Sequence, residues 1–123
     1  MNIIFIEPSF PYNQREFVRA LHAAGANVIG IGERPVEYLS KEVRGWLAEY
    51  VQVRSVVHVP SLLKAVKLVQ SKVWVDRLEA TVEAHIDAAA EVREATGIPG
   101  TSVRTAFLCR DKPAMKEALR KAG

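Results

Sequence analysis

A chain of 123 residues, 49% apolar and 25% charged, is long enough for one domain with a single core and too short for two ordinary ones. That composition excludes a disordered class, and no apolar run approaches the length needed to cross a bilayer. The net charge of +3 is spread along the chain and interleaved with Glu and Asp, without an aromatic stripe, so nucleic-acid binding is not expected.

The start does not resemble a signal peptide, because Asn2 stands where a basic region would lie and Glu7 and Pro8 interrupt the apolar run at once. Cytoplasm is the expected compartment. The lone Cys109 has no internal disulfide partner, which fits a reducing environment.

Residues 2–7 form a short, nearly continuous apolar run ended by Pro8, the pattern of a strand buried on both faces of a parallel sheet. After a turn with two prolines, Asn13 is the expected N-cap of a helix over 14–24, with Phe17, Leu21 and Ala24 on its inner face and Gly25 as its stop. Residues 27–31 read as a second buried strand. Val43, Trp46, Leu47 and Tyr50 suggest a short helix, and 51–53 a brief strand.

His58-Val59-Pro60-Ser61 opens a helix with an apolar stripe of Leu62, Val66 and Val69, and residues 72–78, rich in Val and Trp, read as the next strand. Thr81 is the expected cap of a long helix through Glu94, with Val82, Ile86, Ala89 and Ala90 facing inward and Gly97 as its stop. Strands alternating with helices across short turns predict an α/β, Rossmann-like three-layer domain around a parallel sheet.

In such a sheet ligands bind beyond the carboxyl ends of the strands, which directs attention to the loops after Ile6, Ile31 and Leu78. The first loop, Glu7-Pro8-Ser9-Phe10-Pro11-Tyr12, lacks the glycines of a dinucleotide turn, and Gly30-Ile31-Gly32 lacks the third glycine. His22, His58 and His85 are far apart without partners at ligand spacing, so structural or surface roles are expected for them. Cys109 has no histidine nearby to activate it, and an unreactive thiol is expected.

Arg110-Asp111-Lys112-Pro113 reads first as a helix start, with Asp111 as N-cap and Pro113 in the first turn. Lys112 does not fit that reading, because a cation in a first turn opposes the helix dipole. An anion nearby would offset the cost, and phosphate oxygens would serve.

The run from Val75-Asp76-Arg77-Leu78-Glu79-Ala80-Thr81-Val82-Glu83 through Gly97-Ile98-Pro99-Gly100 to Arg110-Asp111-Lys112, Met115, Leu119 and Ala122-Gly123 resembles the ATP-grasp ligases, and most of all the amino-acid ligase type. The resemblance is in identity and spacing over the last fifty residues or so, and in pattern alone before them. It implies a pre-ATP-grasp domain over residues 1–108 and the start of the ATP-grasp domain over 109–123, so that the chain reads as the front piece of something larger.

It further implies that the full enzyme activates a carboxylate as an acyl phosphate with ATP and Mg²⁺ and passes it to an amine or similar nucleophile. Lys112 would contact ATP phosphate, and Glu83 would lie near the substrate. Glu83 is equally accounted for as a dipole-complementing residue in a first helical turn, and Glu79 is a weaker candidate. The 123-residue chain alone is expected to be inactive. The alternatives are a stand-alone small-ligand module and a subunit-interaction domain forming a homodimer, with Trp46, Trp74 and Tyr50 as anchors unless they pack in the core.

Overall fold

The computed structural model describes residues 1–99. The boundary at 108/109, Cys109, Lys112 and the helix expected after Lys112 lie outside the described residues.

Among the described residues four strands and four α-helices alternate: β1 (Asn2–Ile6), α1 (Gln14–Ala23), β2 (Asn27–Gly32), α2 (Lys41–Trp46), β3 (Leu47–Gln52), α3 (Val59–Gln70), β4 (Arg77–Glu79) and α4 (Glu83–Thr96). The sheet order is β3-β2-β1-β4 and every pairing is parallel. The α/β, Rossmann-like arrangement is therefore the one expected.

Alternation along the strands divides the core in two. Ile4, Ile6, Ile29 and Ile31 face α3 and α4, where Leu62, Val66, Val69 and Val92 are fully or nearly fully buried. Phe5 and Val28 face the other way, onto Val18 of α1 and the half-buried Trp46 and Leu47. Burial of each Ile, Leu or Val side chain contributes roughly 1.5–3 kcal/mol, which makes the first face the larger source of stability. Gly97 ends α4 at φ 73, a left-handed position that glycine takes without steric cost.

Four local expectations are corrected. Asn13 sits at the N-cap of α1 but in a helical conformation, and its side chain makes no capping bond. The inner face of α1 is Gln14, Val18 and the half-buried Leu21, whereas Phe17 stacks on Phe5 at 6.1 Å but stays 45% exposed and Ala24 is exposed. Leu47 and Tyr50 belong to β3 and not to a helix, because pairing with β2 draws the chain into extended geometry at Leu47.

The strand expected over 72–78 shrinks to Arg77–Glu79, which alone pair with β1. Before it the chain is held by Asn2, whose amide donates to Asp76 Oδ2 and whose side chain donates to the Trp74 carbonyl. Among the described residues no helix is long and apolar enough to cross a membrane.

Candidate functional site

β1 lies between β2 and β4, and the chain leaves β1 toward α1 on one face of the sheet and leaves β4 toward α4 on the other. The mouth between the ends of β1 and β4 is thus the switch point where open α/β sheets take ligands.

Gln14 holds that mouth. Its buried side chain donates from Nε2 to the Glu7 carbonyl at 3.3 Å and accepts from Thr81 Oγ1 at 2.6 Å, so one amide joins the exit of β1 to the exit of β4. This also corrects the expected role of Thr81, whose hydroxyl is spent on Gln14. The N-cap of α4 is Val82, without a side-chain cap, and the first turn closes through the His85 amide on the Val82 carbonyl at 2.9 Å.

Glu7 ends the apolar run of β1 and turns the chain. Its amide still donates to the Ile31 carbonyl at 2.7 Å, but its φ of 58 is left-handed, a conformation that costs a residue with a Cβ roughly 1–2 kcal/mol. The side chain is only 5% exposed and lies over β2. Its Oε1 accepts from the Glu33 amide at 2.8 Å, and Glu33 Oε2 in turn accepts from the Val56 amide at 3.0 Å.

Glycine on β2 makes room for this. A Cβ on Gly32 would stand 2.6 Å from Tyr50 Oη and 3.1 Å from Glu7 Oε2, and one on Gly30 would stand 2.9 Å from Pro8 Cγ and 3.1 Å from Tyr50 Cδ2. Two glycines alternating on one face of a buried strand mark a close approach, and that is the available sequence signal for Glu7, which the sequence did not single out, and for Tyr50, which it named only as a candidate interface anchor. Tyr50 donates its hydroxyl to the Arg34 carbonyl at 2.6 Å.

Electrostatics follow from this burial. Desolvation raises the Glu7 pKa above the ordinary carboxylate value, opposed by the Glu33 amide bond. Tyr50 is pushed up to about 12, first by burial and then by the neighbouring Glu7 carboxyl. Burial lowers the pKa of His85, whose Nδ1 has no hydrogen-bond partner among the described residues, while Glu33 pulls it the other way. Burial likewise lowers the Arg93 pKa, opposed by Glu79 at the end of β4.

The expected site residues are thus only partly placed. Glu83 is the exposed first residue of α4, on the β4 side of the mouth, with Glu79 exposed at the end of β4. Trp46 and Tyr50 are half-buried, and Trp74 alone of the three expected anchors is exposed, at 81%. His22 and His58 are exposed, the latter with Nδ1 2.7 Å from Ser61 Oγ. Among the described residues no group of three His, Cys, Asp or Glu side chains could hold a metal ion.

Glu7 and Glu33 stand at the ends of β1 and β2 with Arg34 close enough to act on Glu7, and Glu79 and Glu83 stand at the end of β4 and the start of α4 with Arg93 near Glu79.

No protein-family model and no curated protein matches the sequence. A solved structure does match. An L-amino acid ligase from Bacillus licheniformis superposes on 98% of this chain with a TM-score of 0.72 and 16% sequence identity. The chain shares its fold with part of that ligase. It spans 29% of the ligase chain, and the α/β architecture expected from the ATP-grasp resemblance is the one the superposition recovers.

Proposed function

We propose that this chain is the N-terminal, pre-ATP-grasp unit of a cytoplasmic ligase that uses ATP and Mg²⁺ to activate a small carboxylate and joins it to an amine. The observation that carries the reading is the fold match to an L-amino acid ligase over 98% of the chain. It agrees with the resemblance that the sequence carries over residues 75–123.

In this reading the described unit serves the substrate side. Glu83, the first residue of α4, would lie near the acceptor, whose ammonium group a carboxylate suits. Nucleotide contact falls to Lys112, and magnesium ligation to residues of the catalytic lobes. A homodimer is part of the proposal.

A single lysine gives a fraction of the contacts that ATP needs, so the 123-residue chain would bind ATP no tighter than roughly millimolar and would have no ligase activity. Calorimetric titration of ATP into this chain and into the complete protein tests this. Micromolar binding by the complete protein and none in that range by the chain is the expected result. Micromolar binding by the chain alone contradicts the division of labour.

A further inference from the structure

Where the sheet stops at β3, α3 runs alongside and leaves a groove of about 580 Å³ between them. Val51, Val53 and Leu68 give it apolar walls, and Arg54, Lys64 and Lys67 stand around it. A second hollow of about 550 Å³ adjoins it through the shared Arg54 and Ser61. No acidic residue lines either hollow, and none of these three cations makes an ion pair among the described residues.

The groove borders an open strand edge. The Val53 amide donates to the Gly32 carbonyl at 2.8 Å, so by the alternation of a parallel ladder Val51 and Val53 bond toward β2. Tyr50 and Gln52 then turn their backbone amides and carbonyls away from the sheet, and β3 has no neighbour on that side among the described residues. Such an edge is a template for another strand.

Charge decides what kind of strand. A second copy would bring the same cations to the same place. Residues 101–123 carry six basic side chains against two acidic ones, so the chain's own C-terminal segment is a poor match as well. We propose that the groove docks an extended acidic segment of another protein, added as a strand on β3 with its carboxylates meeting Arg54, Lys64 and Lys67.

Main-chain bonds to Tyr50 and Gln52 and apolar contacts with Val51, Val53 and Leu68 would hold the segment. The cations would select for acidic sequence and speed the encounter, which makes the binding sensitive to salt. This inference does not depend on the ligase reading.

The test is a fluorescein-labelled peptide alternating Glu and Val, titrated with the 123-residue chain and followed by anisotropy and by backbone amide shifts. Saturable binding is expected, about tenfold weaker in high salt and about tenfold weaker in a Lys64→Glu/Lys67→Glu variant. Both substitutions are at exposed positions of α3, and an unchanged circular-dichroism spectrum verifies the fold. The amide shifts should centre on Tyr50 and Gln52. A peptide of the same charge interrupted by proline should bind about tenfold less tightly, because proline removes ladder donors. Absence of saturation, undiminished binding by the charge-reversed variant, or equal binding of the proline peptide would each overturn the proposal.

Discussion

Glu7 and Glu33 are joined by a 2.8 Å hydrogen bond from the Glu33 amide to Glu7 Oε1, while Glu7 Oε2 is buried without a hydrogen-bond partner among the described residues. One carboxyl group thus ties the ends of β1 and β2 and keeps one oxygen unsatisfied. Its raised pKa records the cost of holding that charge out of water.

Glu7 makes stability depend on pH with a definite sign. Because its folded pKa lies above its unfolded one, its contribution is fully present below the unfolded pKa and is lost as pH rises through the folded pKa. A Glu7→Gln variant keeps the bond from the Glu33 amide and removes the charge. It should melt a few degrees higher than the natural protein at neutral pH, with the gain vanishing in acid, as thermal unfolding across pH would show.

His85 acts in the opposite sense. Its folded pKa is lowered, so its contribution is present above the unfolded value and is lost as pH falls through the folded one. Replacing His85 with Gln should flatten the acid side of the stability profile and leave the alkaline side unchanged. A variant whose acid limb still falls as steeply would show that other groups set it.

Gly32 and Tyr50 should be energetically coupled. Gly32→Ala places a methyl 2.6 Å from Tyr50 Oη and costs roughly 1–3 kcal/mol by overpacking. Tyr50→Phe removes the hydroxyl and its bond to the Arg34 carbonyl, at roughly 1 kcal/mol. The double variant should lose less than the sum, and denaturant unfolding of the four proteins measures the difference.

Thr81→Val leaves Gln14 Oε1 buried without its donor and should cost roughly 1–3 kcal/mol. The change should appear as faster hydrogen exchange at the start of α4, whose N-cap has no side-chain bond of its own.

Much of the fold was legible because its signals are local. The buried runs of β1 and β2, the Leu62, Val66 and Val69 stripe of α3 and the Gly97 stop of α4 each lie within one segment. β3 was not, since Val43, Trp46, Leu47 and Tyr50 keep helical spacing in sequence while the last two are held in a strand by β2. The candidate site was least legible of all. Gln14 and Thr81 meet across 67 residues, and Glu7 meets Glu33 across 26, so no single stretch reveals either pair.

The most direct test of the ligase reading is amino-acid-dependent ADP formation by the complete protein, measured with and without each amino acid and repeated with Lys112→Ala. The reading predicts ADP release that requires an amino acid and falls about a hundredfold in the variant, the scale of losing one electrostatic contact to a reacting phosphate. An intact, ATP-binding protein that releases no ADP with any amino acid would contradict it.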